Sequence, residues 1–235
     1  MKAIIERIIR LRNPQFAFGP AVTTSMVIEL FTEKLMAWAR SGKLILRGRI
    51  PNKVLLGRGV QFHYLSKISL GRWVKIEDHV CLSALGSGKI KIGNNVGIGA
   101  FSRLIISTSF GQIGQFIHIG NNVGIGEFAY LGGAGGLTLG EGCIIGQYFS
   151  CHPENHHFGR LDQEIRFQGV SRQGINIGKN CWIGSKVTVL DGVTLGDGCV
   201  VAAGSVITKS FPANSVIAGV PARKIKERIV TPKVA

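Results

Sequence analysis

A chain of 235 residues with 28 Lys and Arg against 13 Asp and Glu carries a net charge of +15, which points to an anionic partner: a phosphorylated cofactor, an acidic glycan, a membrane surface or nucleic acid. Nucleic acid is set aside, because the basic residues are scattered and no RNP, zinc-finger or helix-turn-helix pattern occurs. Five cysteines without a CxxC pair argue against a structural zinc site, and Met1 to Arg12 lacks the apolar core of a secretory signal, so the expected location is cytoplasmic, with the inner face of the membrane as an option.

Residues 2–12 (KAIIERIIRLR) place Ile4, Ile5, Ile8, Ile9 and Leu11 against Lys2, Arg7, Arg10 and Arg12, which at helical spacing gives one apolar and one basic face. After a Pro/Gly-bearing link, a second helix is predicted over 23–40. Thr23, Thr24 and Ser25 open it, Ser41 and Gly42 stop it, and Val27, Leu30, Phe31, Leu35 and Trp38 lie along one side. Glu29, Glu33 and Lys34 make it too short and too charged to span a bilayer. Residues 1–50 therefore read as a segment capping the open end of a downstream repeat, with a peripheral membrane contact as the alternative. Strand-like alternation begins near Leu44 (KLILRGRI, then VLLGRGVQF).

From about Leu70 to Ser210 a six-residue unit recurs: an aliphatic residue, then Gly or another small or polar residue, with a small or β-branched residue four places on. The aliphatic positions run from Leu70, Ile76 and Leu82 to Leu195, Val201 and Ile207, and Cys143, Cys181 and Cys199 fill small positions as compact apolar groups. Three units make one coil, and the period breaks at 86–89, 108–116, 135–136 and 155–174. Such self-similarity predicts an all-β parallel solenoid over 51–212, with six regular coils about 29 Å long after an irregular entry coil. The segment FPANSVIAGVPARKIKER then leaves the solenoid, and 213–235 is expected to be a tail with a short helix folding back over the last coil.

The longest break, 152–174, reads HPENHHFGRLDQEIRFQGVSRQG and holds His152, His156 and His157 beside Glu154, Asn155, Arg160, Asp162, Glu164, Arg166 and Arg172. A solenoid gains no stability from so long an excursion, so the loop is expected to bind or catalyse. Imidazole is the natural general base near neutral pH. Cys151 beside it fills an aliphatic slot of the repeat and reads as a core residue.

The run INIGKNCWIGSKVTVLDGVTLGDGCVVAAGSVITKSFPANSVIAGVPARKIKER (about 175–228) resembles the C-terminal signature of the hexapeptide-repeat acetyltransferases, including galactoside, maltose and streptogramin acetyltransferases and bacterial polysaccharide O-acetyltransferases. Over 68–174 the resemblance lies in the repeat alone, and residues 1–50 match nothing. It implies a left-handed parallel β-helix, a homotrimer, a sugar or glycan acceptor, and acetyl-coenzyme A (acetyl-CoA) as cosubstrate between neighbouring subunits, with no metal required. Carried over by motif, the cofactor residues are Ser185 of WIGS, Ala203 of the AGS corner, Thr208 and Lys209 of the TK pair, and Arg223 and Lys226 of PARKIK near the phosphates. Two patterns for the base coexist. An ENH loop with an aromatic and a downstream QG selects His156 (with Asn155, Phe158, Gln168 and Gly169), and the HP dipeptide selects His152. His156 is preferred and His152 held in reserve.

The implied activity is acetyl transfer to a sugar hydroxyl, with N-acetylation of an amino sugar, free or nucleotide-linked, as the alternative. Gamma-class carbonic anhydrases share the solenoid, so His79, His118, His152 and His157 are also weighed as zinc ligands. A catalytically silent scaffold is the third reading.

Overall fold

The computed structural model describes residues 2–10 and 15–228. Leu11 and Arg12 of the expected first helix, part of the link, and residues 229–235 of the tail lie outside them. Two helices form where the sequence predicts them: α1 (Lys2–Arg10) and α2 (Thr24–Arg40), the latter capped by the Thr23 side chain, which accepts from the Met26 amide.

The rest is the expected left-handed parallel β-helix. Its three faces hold nine, seven and six strands among the described residues. The first face runs from Leu55–Leu56 through Gly124–Ile125 and Trp182–Ile183 to Val200–Val201, the second from Gln61–His63 through Ser150–His152 to Val206–Ile207, and the third from Ile68–Leu70 to Thr194–Leu195. Register keeps like on like: Ile125 pairs with Ile98 below and Ile145 above. The aliphatic residue of each unit after Leu70, which is partly buried, points inward and is buried, as are Cys143, Cys181 and Cys199. Glycine after the aliphatic residue is required by stacking: a Cβ on Gly126 would lie 2.6 Å from the Gln147 nitrogen of the next coil.

Between coils strand N–H groups donate forward, as from Gly97 to the Val123 carbonyl at 2.9 Å, while corner residues donate back, as from His79 to the Arg58 carbonyl at 2.7 Å, so the entry-coil carbonyls that would pair with a preceding coil have none. Basic side chains meet them instead. Arg40 Nε donates to the Leu56 carbonyl at 2.9 Å, Lys43 Nζ to Val60 at 2.5 Å, Arg47 to Phe62 at 3.3 Å, and Arg49 to Leu65 and Ser66 at 3.2 and 2.9 Å. The strand-like start near Leu44 is therefore corrected. Gly42–Ile45 is a short helix, α3, Leu44 is buried over the end of the core, and the first strand begins at Leu55. The alternation in KLILRGRI comes from carbonyl-capping cations interleaved with apolar residues, which period-two reading cannot separate from a strand.

The cap also differs in its contacts from the expected one. Only Val27 of α2 is buried, while Phe31, Leu35 and Trp38 are 53%, 51% and 60% exposed. No described helix is long and apolar enough to cross a membrane.

The predicted C-terminal helix is replaced by two strands. Ser215–Gly219 extends the first face, pairing with Val200–Val201, and Ala222–Glu227 returns antiparallel along it. The open edge of the last coil supplies hydrogen-bond partners, Ile217 and Ala222 complete the core, and the charges of ARKIKE stay in solvent. A helix of that sequence would have only one large apolar side chain, Ile225, to bury.

All four breaks in the period fall on one edge of the prism, between the second and third faces: after Ser83, Ile105, Gly132 and His152 and before Ile90, Ile117, Leu137 and Ile175. Stacking of coils thereby stacks the insertions.

Candidate active site

Three of these insertions enclose a cavity of about 510 Å³ lined by Ser107, Thr108, Ser109 and Gln112 from one, Gly133 and Ala134 from the next, and His152, Glu154, His156, Arg166 and Arg172 from the longest, with Tyr130 on its floor. His152 is the last residue of the strand Ser150–His152, in register with Leu190 of the following coil, and its ring stacks on Tyr130 at 5.5 Å and 17°. Partial burial holds its pKa below the ordinary 6.5, so the imidazole is neutral near pH 7. His156 lines the same cavity from a two-residue antiparallel pair, opposite Val170, and its side chain is exposed. Cys151 is fully buried in the aliphatic column, where burial pushes its thiol up, in keeping with a core residue.

The carboxylate considered as an orienter of the base is engaged elsewhere. Glu154 Oε2 accepts from Arg172 Nε at 2.6 Å, and the same guanidinium donates to the carbonyls of Ile113 and Gln112 at 3.1 and 3.2 Å. Arg172 thus ties the 107–113 insertion to the histidine loop across some sixty residues of sequence. Arg172→Lys is expected to fail as a replacement, since one ammonium cannot reproduce the planar fork. Amide hydrogen exchange in 107–113 should rise in Arg172→Ala and Arg172→Lys alike, with the solenoid strands unchanged; unaltered protection would contradict the tie.

The QG pair shapes the loop rather than the chemistry. The Gln168 side chain accepts from the Arg160 amide at 3.0 Å and donates to the Arg160 and Gln163 carbonyls, each at 2.7 Å. Gly169 takes a left-handed conformation (φ +86°), and its carbonyl receives the His157 amide at 3.0 Å.

None of the six expected cofactor residues lines this cavity. Ser185 and Ala203 occupy the opposite edge of the second face, between it and the first, and Ser185 Oγ donates to Gln147 Oε1 at 2.8 Å. The terminal hairpin is pinned to that edge where the Gly219 amide donates to Ser205 Oγ at 3.2 Å; Arg223 and Lys226 project from its outer strand, opposite Ala218 and Val216. Thr208 and Lys209 lie on the histidine edge, two coils beyond His152. Within one chain the expected base and most of the expected cofactor residues therefore stand at opposite edges of one face.

The histidines weighed as zinc ligands are dispersed. His79 stacks on Phe101 at 5.1 Å on the far edge, and His118 lies against Phe116 on the third face. Among the described residues no three His, Cys, Asp or Glu side chains are grouped to hold a metal.

Tyr130, Ser107–Ser109 and Gln112 carry no mark of a site in the sequence. The available signal was the phase of the repeat: the breaks at 108–116 and 155–174 both come after the second strand of their coil, so they share an edge.

Residues 174–209 match the family model described as the hexapeptide repeat of succinyl-transferase. The chain is similar to a Mycobacterium tuberculosis protein described as a probable acetyltransferase, with 30% identity over 178 residues, covering 74% of this chain and 50% of that protein. It is also similar to galactoside O-acetyltransferase of Escherichia coli, with 39% identity over 95 residues, covering 39% of this chain and 44% of the relative. The chain thus spans about half the length of the curated relatives it matches. In fold it is like AntD, an N-acyltransferase from Bacillus cereus solved with dTDP and 3-hydroxybutyryl-CoA, at TM-score 0.56 and 20% identity, over 82% of this chain and 90% of that one.

Proposed function

We propose that this chain, whose residues 174–209 match the hexapeptide-repeat model and which is similar to hexapeptide-repeat acetyltransferases, transfers an acetyl group from acetyl-CoA to a hydroxyl of a sugar or surface-polysaccharide precursor. The observation that carries this reading is a neutral imidazole fixed at the end of a solenoid strand, in the wall of a polar cavity. His152 takes the proton of the acceptor hydroxyl as the oxygen attacks the thioester carbonyl. The new C–O bond forms, the C–S bond breaks, and the imidazolium returns the proton to the departing thiolate. His152 is preferred here to His156, the histidine favoured from sequence, because a strand end packed on Tyr130 holds a base more accurately than an exposed side chain on a two-residue pair.

The separation of half-sites within one chain supports a homotrimer in which the histidine edge of one copy faces the Ser185 and Ala203 edge of the next. There acetyl-CoA lies between copies, and Arg223 and Lys226 meet its phosphates.

The test is thiol release from acetyl-CoA by the purified protein against free sugars, amino sugars, sugar nucleotides and oligosaccharides. Release that depends on a hydroxyl acceptor is the expected result. Release with amino sugars alone would move the reaction to nitrogen, and none with any acceptor would favour the silent scaffold.

A further inference from the structure

We infer that the acceptor carries an anionic group, a carboxylate or a phosphate, held by Arg166 at the mouth of the cavity that contains His152 and His156. That the bound molecule is an acceptor rests on the acetyl-transfer reading; the anion site stands on geometry alone.

The long loop has three arginines, and the structure gives them different duties. Arg160 forks onto Asp162 at 3.2 and 2.7 Å and does not line the cavity. Arg172 lines it, but its charge is matched by Glu154 and its remaining donors by two carbonyls. Arg166 lines it too, from the 3₁₀ turn Ile165–Phe167, and among the described residues it has no carboxylate partner. Its guanidinium lies 5.1 Å from the Phe167 ring, and the Gln168 side chain fixes the loop that carries it.

With Glu154 neutralised by Arg172, the wall keeps one uncompensated charge, and it is positive. A guanidinium with free donors is matched in shape and charge by the paired oxygens of a carboxylate or phosphate, and such charge-assisted bonds are stronger than neutral ones. A neutral sugar would leave this group facing nothing but water. An acceptor with an acidic substituent would be oriented by it, with a hydroxyl turned toward the histidines.

The experiment compares binding of methyl glucuronide, glucose 6-phosphate and methyl glucoside to the full chain by ligand-observed NMR titration, which needs no turnover. The two anionic probes, or one of them, should bind about tenfold or more tightly than the neutral one, the size expected of one charge-assisted contact. Arg166→Gln should abolish that preference and Arg166→Lys should retain part of it. Preference for only one anionic probe identifies the group as carboxylate or phosphate. Equal or absent binding of the three probes by the wild type, or a preference that survives in Arg166→Gln, overturns the inference. If the preference holds and depends on Arg166, yet neither these probes nor any acceptor of the sugar, amino-sugar, sugar-nucleotide and oligosaccharide panel releases thiol from acetyl-CoA, the anion site stands and the acetyl-transfer reading falls.

Discussion

His152→Ala is expected to lower kcat about 100- to 10,000-fold, the range general base catalysis supplies, while the affinity for acetyl-CoA stays nearly intact. The reason is geometric before it is chemical. His152 closes a strand whose neighbours in register hold it from both sides, and its ring rests on Tyr130, so the imidazole is in place before substrate arrives. His156→Ala should act mainly on the KM for the acceptor, since that side chain shares the cavity wall without the same support. Loss of turnover in His156→Ala with full activity in His152→Ala would reverse the assignment. The pH profile is a second readout. A base works in its neutral form, and burial lowers the pKa of His152, so the acid limb of kcat/KM should be centred below the ordinary histidine value of 6.5. An acid limb centred above 6.5 would exclude His152 as the titrating base.

Two variants that are each inactive should restore activity when they share a trimer. Ala203→Trp places a large ring on an exposed edge residue, outside the core, and should block acetyl-CoA binding. His152→Ala should bind it without turnover. If each site takes its histidine from one copy and its cofactor edge from the next, random mixing leaves about a quarter of the interfaces with both parts sound. Co-expression under two affinity tags, then purification through both, removes the uniform trimers and leaves one sound interface in each mixed trimer, so it should return about a third of the wild-type rate, against almost none for either parent. Gel filtration of the parents checks that each still assembles. Mixed assemblies containing both tags and no activity would show that the site lies within a single chain, despite the distance between its two edges.

The solenoid was legible because its period is local and repeated. An aliphatic residue every six positions, with a small residue four places on, can satisfy both burial and coil-to-coil pairing only as a stack of short strands. The entry and exit were not legible. In KLILRGRI the basic residues are spaced like the outer face of a strand, but their partners are the unmet carbonyls of the entry coil, about sixteen residues away in sequence. ARKIKE reads as a basic helical end, yet the open edge of the last coil draws it into a strand.

The same division runs through the site. Sequence alone determined that this chain is a β-helix and that three of its six histidines cluster where its longest excursion begins, since both depend only on where the period holds and where it breaks. Tertiary structure decided the rest: that the insertions close into one cavity, that Arg172 serves Glu154 and the 107–113 insertion while Arg166 keeps its donors free, and that the expected cofactor residues are divided between the histidine edge and the opposite one with its terminal hairpin. The physical reason is range. Periodicity is written between neighbours, whereas the partner of a charged side chain in a solenoid belongs to another coil, and only the stacking of coils brings it within hydrogen-bond distance.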